Sequence, residues 1–275
     1  MGGVSAGPWA SLNLGDHVGD NPAHVSANRG RLLDAICGIT PGARTVFLQQ
    51  IHGVDVVELD AASVPGQHAD ACVSNTPGMA CSIMVADCLP VLFAHESGLA
   101  VAAAHAGWRG LAGMPPGSSG PSPGPGVLEQ TFLRLCTLVR QSLAMDLPDQ
   151  AIARHTLAWL GPCIGPESFE VGAEVLAAFA AGHPEAHAHF QALPAGRAKA
   201  GAAKYLADLP ALARQRLRAL GIRAIYGNDG GAQWCTVGNP SRFFSHRRDA
   251  ASLGSSGRFA ACIWLDGGPM HGAAA

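Results

Sequence analysis

The chain has 275 residues, 48% of them hydrophobic and 14% charged, a balance that fits a large packed core and excludes a disordered protein. Eighteen basic and 20 acidic residues give a formal net charge of -2, which offers no electrostatic footprint for nucleic acid or an anionic membrane. No apolar run reaches the ~20 residues that span a bilayer. The start lacks a basic-then-apolar leader, and eight scattered cysteines without a CxxC pair read as reduced thiols of a cytoplasmic protein.

In chain order, residues 1–31 are rich in Gly, Asn and Asp, and Asn21-Pro22 signals a helix start. The apolar spacing predicts a helix over Val25–Ile36 that ends near Gly38. Thr45–His52 and Val54–Asp60 read as strands flanking Gly53. Asp70–Asn75 and Met79–Asp87 read as two more, turned at Thr76-Pro77-Gly78. The runs Pro90–His95 and Leu99–His105 surround Glu96-Ser97-Gly98 and predict a β-hairpin. With its turn centred on Glu96 and Ser97, Cys88 falls directly opposite His105, where Cβ atoms lie roughly 4.5–5.5 Å apart.

The Pro/Gly/Ser-rich run from Met114 to Gly126 cannot hold a helix or a central strand. It reads as a loop insertion within one domain spanning 1–275, not as a linker between two. Val127–Leu143 is an amphipathic helix by its three-to-four spacing. His155–Gly165 is a strand entering a Gly-Pro turn, Gly172 to about Ala181 is a helix, and 182–201 is a loop. Tyr205–Ile222 reads as a helix capped by Gly221, with final strands at Ser241–His246 and Arg258–Leu265. Hairpins interspersed with helices predict an α+β (mixed α/β) domain of mixed sheets covered by helices, not a doubly wound sheet. Dinucleotide, P-loop and nucleophile-elbow motifs are absent.

Three side chains at the ends of strand-like runs stand out: His52, Cys88 and His105. One thiolate and two imidazoles leave a fourth zinc position open, as catalytic sites require, and zinc there would activate a water near neutral pH. The Cys88–His105 pair also suits metal-free thiol chemistry, with His105 as base. Asp87 beside Cys88 suits a base or an orienting group. Arg109 beside Trp108 suits an anion site, and Arg247 and Arg248 could receive phosphate. Cys163 in its tight turn reads equally well as a small buried thiol. His183, His187 and His189 resemble a metal cluster but read as exposed histidines.

The strings SLNLGDHVGD, NRGRL, QQIHG, DACVS, ADCLPVLF, AAHAGWRGLAG, GPCIGPESFEVG and FFSHRRD occur in this order. From about Gly2 to Leu265 the chain resembles the YfiH-like family, whose members have been called laccase-domain or polyphenol oxidase proteins and purine nucleoside phosphorylases. The resemblance implies one αβ domain with zinc on His52, Cys88 and His105. It also implies phosphorolysis of adenosine, inosine and methylthioadenosine, and hydrolytic deamination of adenosine. Purine nucleosides and phosphate are then the partners. By residue type alone, Arg109 and Arg248 could place the phosphate, Asp87 or Glu170 could contact the ribose, and Asn13 is a further candidate substrate contact.

Two departures from the family pattern stand out. The family carries a strand ahead of the segment that here begins MGGVS, and the Met114–Gly126 run interrupts a usually continuous stretch. The competing expectations are a metal-free Cys/His thiol hydrolase, a copper-dependent polyphenol oxidase with Cu2+ in place of Zn2+, and a non-catalytic metal-binding protein.

Overall fold

The computed structural model describes residues 2–114, 124–194 and 203–266, so most of the Pro/Gly/Ser run, 115–123, lies outside the described residues. Helix α1 (Pro22–Cys37) begins at the expected signal. The Asn21 side chain accepts from the Ala23 amide at 2.9 Å, Pro22 occupies the first turn, and Gly38 ends the helix. Strands β1 (Arg44–Val46) and β2 (Val56–Glu58) are shorter than expected. After Val46 the chain leaves the ladder. Gln49 bridges His68, and the Gln50 amide pairs with both the N–H and the C=O of Met84 at 2.8 Å each.

Strands β3 (Ala71–Ser74) and β4 (Met79–Val85) flank the expected turn but enter different sheets. Then come β5 (Leu89–His95), β6 (Val101–Ala106), α2 (Trp108–Leu111), α3 (Val127–Leu143) and α4 (Asp149–Arg154). After β7 (Thr156–Leu160), β8 (Glu170–Gly172) and α5 (Ala173–Ala180), the expected loop at 182–201 holds a 3-10 turn, Pro184–His189, and β9 (Phe190–Ala192).

The long helix expected over Tyr205–Ile222 is a strand followed by a shorter helix, β10 (Lys204–Ala207) and α6 (Leu209–Ala219). The reason is local. Asp208 caps α6 by accepting from Ala211 N at 2.9 Å, and Pro210, which lacks an N–H, fits only a first turn. Beyond β11 (Ala224–Gly227), the strand expected at Ser241–His246 is not formed. Ser245 instead caps α7 (His246–Leu253) by accepting from Arg248 N. The last strand is β12 (Phe259–Ile263).

The fold is mixed α/β, as the pattern of elements predicted. A six-stranded sheet runs β11-β7-β5-β6-β3-β2, a three-stranded sheet runs β1-β4-β12, and β8-β10-β9 form a small antiparallel sheet. In the large sheet β11 and β7 are parallel, as are β2 and β3; the remaining pairs are antiparallel. Alternation divides its faces. Ala102, Ala104 and Ala106 of β6 join the core packed under α3 and α6, whereas Val101 and Ala103 join the core against the three-stranded sheet. A strand buried on both faces explains the unbroken apolar run of β6, and its alanines let α3 lie close.

Candidate metal centre

His105 lies near the end of β6, Cys88 immediately precedes β5, and His52 follows the β1 segment. One ligand atom from each lies within 4.8 Å of the others, close enough to share an ion. Cys88 Sγ is 3.9 Å from His52 Nε2, and the two imidazole rings stand nearly edge-on with centroids 4.8 Å apart. Among the described residues this is the one such group of three; His183, His187 and His189 form none.

The hairpin brings Cys88 and His105 together by a different register from the one expected. Pro90 opposes His105, and Leu89 opposes Ala106. Gly98, at φ +69°, takes a left-handed position that moves the turn centre to Ser97 and Gly98. The displacement is two residues, so parity is kept and Cys88 still projects to the His105 face.

The residue across from His105 on the other side is Asp70, which was not singled out from the sequence. Its carbonyl accepts from His105 N at 2.7 Å, continuing the β3–β6 ladder. Its carboxylate, fully buried, accepts from His105 Nδ1 at 2.8 Å, His52 N at 2.9 Å, Gly53 N at 2.6 Å and Ile51 N at 3.2 Å. One side chain therefore orients one ligand through its ring and the other through its backbone. His52 sits at φ +61°, a left-handed conformation that costs a β-carbon residue roughly 1–2 kcal/mol, and the Asp70 bonds offset that cost. With Nδ1 engaged by Asp70, His105 presents Nε2 to the centre, the carboxylate–histidine arrangement found behind metal ligands.

Burial pushes the Cys88 thiol up, but the His105 charge and hydrogen bonds from His105 and His52 outweigh it and bring it down to about 6. For His105, burial pulls the imidazole down, while the Cys88 charge and the bonds to Asp70 and Cys88 raise it to about 9. Burial also works against the Asp70 carboxylate, yet His105 and the backbone donors hold it below the usual range. A metal-free site is thus a thiolate beside an imidazolium.

Two glycines of the HAGWRG string have steric reasons. A Cβ on Gly107 would lie 3.1 Å from both Cys88 Sγ and His52 Cδ2, and one on Gly110 would lie 2.6 Å from Gly53 O. The first keeps the centre open. The second seats α2 on the turn that carries His52.

The three donors line a cavity of about 280 Å³, together with Trp108, Phe169, Asp87, Arg247, Arg258 and His17. Asp87, at φ +95°, accepts from Thr236 Oγ1 at 2.5 Å and Arg247 N at 2.6 Å, so its carboxylate ties the start of β5 to the C-terminal segments. The other expected substrate contacts lie elsewhere. Arg109 is exposed and stacks on Trp108, its guanidinium carbon 4.3 Å from the ring centroid. Arg248 spends its guanidinium on Asp249 and on the carbonyls of Thr236 and Phe243. Glu170 lies 3.8 Å from Lys204 Nζ. Asn13 is fully buried and bonds to Gly15, Asp20 and the Arg258 amide. Cys163 is buried too, paired across an isolated bridge with Cys235.

Fold and site together define a mixed α/β protein with a His-Cys-His centre on the wall of a cavity. The family model described as "Multi-copper polyphenol oxidoreductase laccase" matches residues 1–266, and the chain belongs to that family. It is 46% identical over 265 residues to purine nucleoside phosphorylase YfiH of Escherichia coli, covering 96% of this chain and 90% of the relative. A purine nucleoside phosphorylase of Pseudomonas aeruginosa is 44% identical over 264 residues, with 96% and 90% covered. Among solved structures, a Neisseria meningitidis protein superposes with a TM-score of 0.75 at 42% identity, covering 97% of this chain and 91% of its own. YlmD from Geobacillus stearothermophilus gives 0.70 at 28% identity, with 96% and 88% covered.

Proposed function

We propose that this protein is a zinc-dependent purine nucleoside phosphorylase with adenosine deaminase activity. Its substrates are adenosine, inosine and S-methyl-5′-thioadenosine, which phosphate cleaves to free base and sugar 1-phosphate. The observation that carries the reading is the His52–Cys88–His105 group oriented by Asp70 and lining a cavity, in a chain close to relatives named purine nucleoside phosphorylase. Two imidazoles and a thiolate suit borderline-soft zinc, with copper as a substitute. Bound zinc supplies Lewis acidity and activation of water, the chemistry needed for attack at C6 of adenine.

The cavity's own side chains fit the rest. Trp108 and Phe169 line the cavity and supply aromatic surface against which a purine would pack. In phosphorolysis a phosphate oxygen bonds to C1′ as the bond to the base breaks, and positive charge develops on the ribose. Asp87 holds the Cys88 strand end against residues 236 and 247, fixing the wall beside that reaction. The family match over 1–266 supports one domain, and eight free cysteines support a reducing, cytoplasmic setting.

The test is turnover of adenosine by zinc-loaded protein with and without phosphate, resolving adenine, inosine and hypoxanthine. Phosphate-dependent adenine release, abolished in Cys88→Ala along with bound zinc, is the expected result. Folded, zinc-loaded protein that releases neither base nor inosine rules the reading out. The thiolate–imidazolium character of Cys88 and His105 favours a thiol hydrolase as the second reading. Activity that survives chelation but not thiol alkylation would select it.

A further inference from the structure

We propose that Arg258 is the anchor for inorganic phosphate in this cavity and that Asn13 and Gly15 hold it in place. The inference rests on the phosphorylase reading and names the residue that recognises its second substrate. Arg258 lines the cavity that contains the metal donors. Its Nη1 donates to the carbonyls of Ser256 and Gly257, at 2.9 and 3.0 Å. Its remaining donors have no hydrogen-bond acceptor, and no carboxylate lies within ion-pair distance, among the described residues.

Two neighbouring arginines differ in this respect. Arg29 pairs with Asp16 at 3.1 Å, and Arg248 pairs with Asp249 at 2.6 Å. Arg247, also on the cavity and without an ion pair among the described residues, donates Nη1 to the carbonyls of Ser168 and Glu170 at 3.5 and 3.2 Å, but it is exposed and lies over the Phe169 ring, whereas Arg258 is half-buried. Asp87, the carboxylate in the cavity, accepts from Thr236 and the Arg247 amide instead. A half-buried guanidinium with free donors on a cavity wall is a fork matched to an oxyanion.

The N-terminal segment is shaped around this side chain. Asn13 Oδ1 accepts from Arg258 N at 2.8 Å, and Leu14 N donates to Arg258 O at 3.0 Å. A Cβ on Gly15 would lie 2.8 Å from Arg258 Cγ, so only glycine leaves room for the stem. His17 lines the same cavity, and its imidazole is held below its ordinary value by desolvation and then by the Arg258 charge. Asn13 thus acts through Arg258, as a positioning residue, and does not line the cavity.

The test measures inorganic phosphate binding calorimetrically, and phosphate and nucleoside KM separately, for wild type, Arg258→Gln, Arg258→Lys and Gly15→Ala, all zinc-loaded. Phosphate affinity is expected to fall at least about tenfold in Arg258→Gln, the scale of one charge-assisted contact, with nucleoside KM changing less than about twofold. Arg258→Lys recovers part of the loss. Gly15→Ala, which displaces the stem and keeps the charge, weakens phosphate alone, and it carries the test if Arg258→Gln does not fold. Unchanged phosphate affinity in the folded variants overturns the proposal. So does a wild-type protein that binds adenosine 5′-monophosphate but not inorganic phosphate, because the oxyanion would then belong to a nucleotide. Phosphate binding that depends on Arg258 without any base release would overturn the phosphorylase reading and leave the anion site standing.

Discussion

The two walls of the cavity are built on different principles. The metal wall comes from neighbouring strand ends: β5 and β6 form one hairpin, β3 pairs with β6, and Asp70 ties the His52 turn to the same edge. The opposite wall comes from segments far apart in the chain. Asn13 meets Arg258 across 245 residues and Thr236 meets Asp87 across 149, and a few hydrogen bonds, most of them to side chains, make the joins. The first wall is held by ladder hydrogen bonds and two packed cores. The second depends on buried polar groups that are each individually satisfied. Damage to the metal wall should therefore act first on the ion, and damage to the other wall on substrate and local stability.

The sharpest test of that contrast is Asp70→Asn. The amide cannot accept from all the donors that converge on the carboxylate, so zinc affinity is expected to fall about 10–100-fold. Chelator competition would measure it, and unchanged zinc affinity would break the distinction between the walls. Gly107→Ala is the milder probe. Its new Cβ presses on Cys88 Sγ and His52 from 3.1 Å, and a strain of about 1 kcal/mol should appear as a several-fold loss of zinc affinity. The same contact exists without the ion, so thermal unfolding of the metal-free form should fall by a few degrees at most, with no added cost from the backbone, which is not at a positive φ there.

The smallest effect is expected on the far wall, where Asp20 accepts from Ser5, Asn13 and Asn21. Burial works to raise its carboxyl, but these bonds hold it below the usual value. A carboxyl lower in the folded state than in the unfolded chain adds stability above the unfolded value, near ~3.9, and loses it as pH falls through the folded one. Asp20→Asn should be less stable at pH 7 and show a flatter decline toward pH 3, while its zinc affinity matches wild type. Urea midpoints at the two pH values check the first point and chelator competition the second.

What could be read from the sequence follows the same divide. Helix α3 spans the residues its periodicity predicted, Val127–Leu143, because amphipathic spacing is a local property. The three candidate metal ligands were legible because each closes an apolar run, and the two-residue register error did no harm because parity was preserved. Asp70 was missed although it opens the DACVS string. An acid directly before a fully buried strand was the available signal, but its partner lay on a strand whose pairing the sequence does not reveal. Arg258 had no local signal at all. Neither Gly15 nor Asn13 advertises what it packs against, and Tyr205–Ala207 joined a helix on paper because apolar spacing there suits either state.

The approach of Gly113 to Gly124 carries a practical consequence. A Cβ on Gly113, which sits at φ +79°, would lie 2.2 Å from Gly124 O, so the chain leaves α2 and returns toward α3 at almost the same point. Two ends that already touch define a port. A short Gly-Ser bridge, or a whole reporter protein, can be spliced between them at little closure cost and without asking either helix to move.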